Sequence, residues 1–156
     1  MKTIVIGALG VLCAAELTMA KRAASAAGEK HAPQDHIEIT AQAVSWSPVL
    51  PSDPSGPRIT VLAGDPRKPG LYTMRLKLPD GYRSAPHWHP QTEYTTVLSG
   101  TLLYGIGDKW DDASMHSLGP GDFLAMTGGT HHYAGARGET IVQVSGIGPT
   151  EQVRVK

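Results

Sequence analysis

Only one cysteine, Cys13, occurs in this chain, and it lies within a stretch at the start that reads as a removable leader. A mature protein without a thiol has no disulfide, no thiolate metal site and no cysteine nucleophile. Charge is also scarce: 18% of residues, with 14 Lys and Arg balanced by 14 Asp and Glu. That balance leaves no basic footprint for nucleic acid or an anionic membrane surface. There is no G-x-S-x-G motif, no phosphate-binding glycine loop and no dinucleotide fingerprint. Phe123 is the sole phenylalanine, and beyond residue 41 apolar residues do not recur at 3.6-residue spacing, so long amphipathic helices are not expected. What the chain has in quantity is punctuation. Its 18 glycines and 12 prolines divide it into short segments, as turns between short strands require.

The N-terminus has its own logic. Lys2 precedes an uncharged run over residues 3–15, which is followed by ELTMAKRAASAAG. A basic start, a short apolar stretch and small residues at −3 and −1 describe a secretory signal. The run is too short to span a membrane, which takes roughly 20 apolar residues. Thr18 with Ala20, or Ala24 with Ala26, satisfies the small-residue rule, so cleavage is expected after Ala20 or Ala26. Leu12 stands where a lipidation site would carry a small residue, so Cys13 is not read as a lipid anchor. The expectation is an exported protein, periplasmic or secreted, with no membrane anchor in its mature form. Removing residues 1–26 takes away Lys2, Lys21, Arg22 and Glu16, which leaves 11 basic against 13 acidic residues.

Residues 27–156 are then one domain. HIEIT, residues 36–40, alternates polar and apolar side chains as a first strand would. SPVLPSDPSGPR reads as a surface loop. RITVLA, LYTMRLKL, DFLAM and ETIVQVSGI read as strands, and EYTTVLSGTLLYGIG as a hairpin bending near Ser99 and Gly100. In SLGPGD, Pro120 and Gly121 suit the two central positions of a tight turn. Short strands at regular intervals with glycine and proline between them predict an all-β, antiparallel sandwich or barrel.

Chemistry concentrates in HWHPQTE, residues 87–93. In a strand, residues i and i+2 project to one face, so His87 and His89 can aim their rings at one point. Pro90 forces a turn, and Glu93 opens the returning strand. Neutral imidazoles and a carboxylate converging from neighbouring strands are what a divalent cation binds. A further ligand is available in GGTHHYAG, where His131 and His132 point to opposite faces and only one of them can join. His31, His36 and His116 carry no such context and are read as ordinary histidines. Tyr72, Met74, Met126 and Tyr133 are candidate lining groups, with ordinary core packing as the alternative for each. If Glu93 faces inward, Thr95 and Val97 follow it, while Tyr94 and Thr96 face out. Trp88, between the two histidines, is assigned to packing on the opposite face. Asp108, Asp111 and Asp112 do not match a calcium loop and read as a solvated hairpin end.

These residues resemble the cupins. The first cupin motif, G-x5-H-x-H-x3-E-x6-G, is met in full by Gly81, His87, His89, Glu93 and Gly100. The second, G-x5-P-x-G-x2-H-x3-N, is met by Gly121, Gly129 and His132, with Thr127 in place of proline and Ala136 in place of asparagine. The resemblance covers residues 81–136 directly, with the two motifs at 81–100 and 121–136. It implies a double-sheet jelly roll holding one divalent metal ion, Fe, Mn, Ni, Cu or Zn, through His87, His89, Glu93 and His132. It selects His132 over His131. Within this family the pattern accompanies dioxygenases, isomerases and lyases, so a metal-dependent enzyme acting on a small organic substrate is expected. A dioxygenase of enol- or diketone-like compounds is the single guess, with Glu93 as ligand and proton acceptor. The competing expectation is an exported protein that binds a small ligand or a metal without turnover. A homodimer is expected as well.

Overall fold

The computed structural model describes residues 36–156, so the leader and both cleavage positions lie outside the described residues. Within them the fold is all-β: nine strands, every pair antiparallel, with two single 3-10 turns at Ala41–Ala43 and Asp112–Ser114. β1 (Ser47–Pro48) pairs with β2 (Arg58–Ala63), and β2 with β3 (Gly70–Leu78). β3 runs beside β8 (His132–Gly148) along its whole length. β8 also pairs with β4 (His87–Trp88), which in turn pairs with β9 (Val153–Arg154). β5 (Glu93–Ile106) pairs with β8 and carries β6 (His116–Leu118) and β7 (Phe123–Met126) on its other edge. The sheet curls on itself as a jelly roll, which leaves few edges open.

Strand alternation places the core. On β3, Tyr72, Met74 and Leu78 are buried, and they meet Val142 and Val144 of β8 together with Val97 and Leu102 of β5. The intervening residues pair across the opposite face: Thr73 with Ser145 at 2.9 Å, and Arg75 with Gln143 at 3.2 Å. Val97 is 1% exposed and Tyr94 is 49% exposed, the inward and outward pattern expected for that strand.

Three segments differ from the reading of the sequence. Residues 36–40 do not form a strand; Ile37 and Ile39 are exposed, and the chain enters a 3-10 turn instead. Alternation makes a strand only where an edge is free to pair, and β1 already occupies the outer edge of β2. The segment 93–107 is not a hairpin. It is one 14-residue strand whose register against β8 shifts between Val97 and Thr101. Gly100 sits in this bulge with φ of +78°, and an added Cβ would fall 2.4 Å from the Glu139 carbonyl oxygen and 2.5 Å from Thr140 Oγ1. Thr140, fully buried, accepts from the Thr101 amide through its hydroxyl at 3.0 Å and so satisfies the group that the bulge frees. ETIVQVSGI, residues 139–147, is likewise only part of a longer strand, the 17-residue β8 that begins at His132. The turn at Pro120 and Gly121 forms as expected, closed by the Asp122 amide donating to the Gly119 carbonyl at 3.0 Å.

Gly100→Ala is expected to lower the unfolding free energy by about 2 kcal/mol, because it adds both a positive-φ penalty and a backbone clash. Urea unfolding measures this, and a loss below about 0.5 kcal/mol would show that the bulge tolerates a side chain.

Candidate metal centre

Pro86 and Pro90 bracket His87, Trp88 and His89. Proline supplies no amide to a ladder, so the strand between them is short, and it is wedged between β8 and β9. His87 lies directly opposite His132, a cross-strand pair with ring centroids 4.3 Å apart. His89, two residues on, turns to the same side; its ring lies 5.0 Å from His87 and 5.4 Å from His132. The Gly129 amide donates to the His89 carbonyl at 2.8 Å and ties the loop before β8 to this turn.

Each ring is fixed by backbone. Nδ1 of His87 lies 2.7 Å from the Ala85 carbonyl oxygen, Nδ1 of His89 lies 2.8 Å from that of Glu151, and Nδ1 of His132 lies 2.9 Å from that of Thr130. A carbonyl oxygen only accepts, so in each neutral ring the proton is on Nδ1 and the lone pair is on Nε2. One ligand atom from each ring falls within 4.8 Å of the other two. Bonds of about 2.0–2.1 Å to one ion place such nitrogens about 3.0–3.4 Å apart, so small ring movements complete the triad. Burial is the main cause that holds the His87 imidazolium down to about 4, and burial lowers His132 as well. Both rings are therefore neutral near pH 7, the form a metal requires. The donor set fits a divalent cation.

Glu93 stands beside this triad. Its Oε1 accepts from Tyr72 Oη at 2.8 Å and from Thr150 Oγ1 at 2.7 Å, while its Oε2 lies 3.5 Å from His89 Nε2. The three ligand atoms that all lie close together belong to His87, His89 and His132, and Glu93 approaches the group through His89. Gly146 makes this arrangement feasible. It lies on β8 opposite both Tyr72 and Glu93, and a Cβ there would come within 2.8 Å of Tyr72 Oη. The bare backbone at Gly146 lets the buried tyrosine reach across β8 to the carboxylate. Burial first, and then the Glu93 charge, raise the Tyr72 phenol, so it remains a donor. Thr150 was not singled out from sequence. It follows the end of β8, 57 residues from Glu93, and its amide is anchored on the Pro66 carbonyl at 2.7 Å.

The remaining candidates separate cleanly. His131 faces away from the triad: its Nδ1 lies 2.6 Å from Asp108 Oδ1, and its ring stacks on Trp88. Tyr133 is also directed away, fully buried against Trp110 with its hydroxyl donating to the Asp111 carbonyl. His116 stacks on Tyr104. Asp111 caps the 3-10 turn, and Asp112 pairs with Arg83 at 2.9 Å, as a surface hairpin end would. Met74 and Met126 line a cavity of about 290 Å³ that contains His87, His89, Glu93 and His132 in its wall. Tyr72 and Tyr133 are not part of that wall.

His87→Ala and His132→Ala are expected to weaken Zn(II) or Co(II) binding by at least about 100-fold, whereas His131→Ala leaves it within about threefold. Calorimetric titration reads this, and equal loss in all three would assign the wrong neighbour. Acid offers a second check. Because His87 is lowered in the folded state, the unfolded chain takes up its proton below pH 6.5 while the folded one does not until about pH 4. Stability of the metal-free protein is therefore expected to fall as pH drops from 6.5 towards 4, and His87→Gln should flatten part of that fall. Urea midpoints across this range decide it.

The family model for the cupin domain matches residues 74–147, a span that contains both histidine motifs. Among solved structures the chain is similar to a cupin-like protein of unknown function from Ralstonia eutropha, with TM-score 0.60 and 22% identity over 76% of this chain and 77% of that one. It is similar also to KdgF from a Halomonas species, with TM-score 0.56 and 19% identity over 74% and 96% of the two chains. A third likeness is to a salicylate 1,2-dioxygenase of Pseudoaminobacter salicylatoxidans in complex with gentisate, with TM-score 0.51 and 14% identity over 63% of this chain and 29% of that one. No curated protein matches the sequence. Identities this low speak for the shared fold alone; with the matched domain they agree that residues 74–147 carry a cupin domain folded as a jelly roll.

Proposed function

We propose that this cupin is an exported, metal-dependent enzyme acting on a small organic molecule, with oxygen-dependent cleavage of an enol- or diketone-like compound as the reaction. The carrying observation is the placement of the triad. Three histidines with backbone-fixed tautomers share the wall of a cavity in the lower size range of ligand sites, rather than being closed off by further ligands as in a structural zinc site. A bound divalent ion would supply a Lewis acid at that wall. In this reading His87, His89 and His132 hold the ion, and Glu93 completes the set through Oε2. Fe, Mn, Ni, Cu and Zn all suit such ligands.

The chain's own groups do the rest. Oε1 of Glu93 is held by two hydroxyls, so Oε2, once it leaves the ion, is the atom that would take the proton an enol or diketone loses. The two donors on Oε1 fix the orientation of the carboxylate. The apolar side chains of the wall favour contact with the body of a substrate over water. Export rests on the leader sequence in residues 1–26. A second copy of the chain is the proposed partner, supported by apolar side chains left exposed: Leu71 beside Ile147, and Tyr94 stacked on Phe123.

The test is to load the purified protein with Fe(II), Mn(II), Ni(II), Cu(II) or Zn(II) in turn and follow oxygen uptake and product across enols, diketones and phenols. Turnover with at least one redox-active metal, reduced at least about 100-fold in Glu93→Gln, is expected. Silence with every metal beside tight ligand binding would instead favour a non-catalytic binding protein.

A further inference from the structure

The wall of the cavity is poor in positive charge. Its surface is mostly apolar, with Leu76, Leu102, Leu124, Met126, Val142 and Val144 among the lining, and its polar groups are the histidine triad, two glutamates, the Gln152 amide and neutral hydroxyls such as that of Thr150. Among the described residues that line it, none is a lysine or an arginine, and the two that carry formal charge are the carboxylates of Glu93 and Glu151. The imidazoles add no donors towards the interior, because each keeps its proton on Nδ1 against a carbonyl.

An anionic group entering this space would lose its hydration without gaining a cationic fork or a ring of N–H donors, and it would face two carboxylates, which also offset the charge of a bound divalent ion. An uncharged body loses little on the same path and gains apolar contact. Two neighbouring oxygens at one end of such a body would meet the triad. We propose that the cavity admits substrates that are uncharged in solution, apolar-bodied and bear their oxygens at one end, such as a β-diketone or a simple diphenol. It rejects their carboxylate-bearing counterparts. This selectivity rests on the enzymatic reading above but concerns the wall, so it is measurable without turnover.

Matched pairs isolate the charge: 1-phenylbutane-1,3-dione against benzoylpyruvate, and catechol against 2,3-dihydroxybenzoate. Dissociation constants for all four are measured by calorimetry on metal-free protein and on protein titrated with redox-inert Zn(II). The uncharged member of each pair is expected to bind at least about tenfold more tightly in both forms. Leu124→Arg, at a partly buried lining position where a long side chain can extend, is expected to narrow or reverse the gap, with circular dichroism verifying the fold. Acids that bind as tightly as their uncharged partners would overturn the inference while leaving the metal enzyme intact, and so would failure of both uncharged compounds to bind. Failure of Zn(II) to bind would remove the enzymatic reading, while the metal-free comparison would still decide the selectivity.

Discussion

The register of β8 is the constraint on which the centre depends. His132 faces His87 because residue 132, and not 131, lies opposite it across the ladder. Side chains alternate with a period of two, so a slip of one residue would turn His131 inward and reverse every inner side chain of that half-strand. The register is held from several sides. Val142 and Val144 must face the core beside Met74 and Val97, Gly146 must lie between Tyr72 and Glu93, and Thr140 must fill the bulge at Gly100. Packing far from the histidines therefore decides which of the two adjacent ones joins the triad.

The apolar interior has two effects at once. It lowers the charged forms of His87 and His132, which keeps their Nε2 lone pairs free, and it forms the cavity in which those lone pairs are exposed. A barrel with a filled centre would gain packing but leave no room for a ligand. Glu93 shows the complementary solution: its side chain sits in a partly buried place because Tyr72 and Thr150 donate hydroxyls to one oxygen, while the other is left towards His89.

Legibility followed distance along the chain. His87, His89 and Glu93 lie within one turn, and their spacing alone predicts a shared face. The turn at Pro120 and Gly121 is equally local, since proline presets φ and glycine accepts a positive φ. EYTTVLSGTLLYGIG misled because Ser-Gly suits a hairpin turn as well as a bulge, and only the partner strand distinguishes the two. HIEIT misled because alternation is necessary for a half-buried strand but supplies no edge to pair with.

By itself, then, the order of amino acids determined an all-β chain, two motif segments and a candidate pair of ligands with a carboxylate beside them, because periodicity and turn chemistry act over a few residues. The choice between adjacent histidines on the ladder, the reach of Tyr72 over Gly146, the part of Thr150 and the unfilled apolar space were decided by the tertiary structure. Each of these depends on which strands lie side by side, and partners 45 or more residues apart meet only once the sheet has closed.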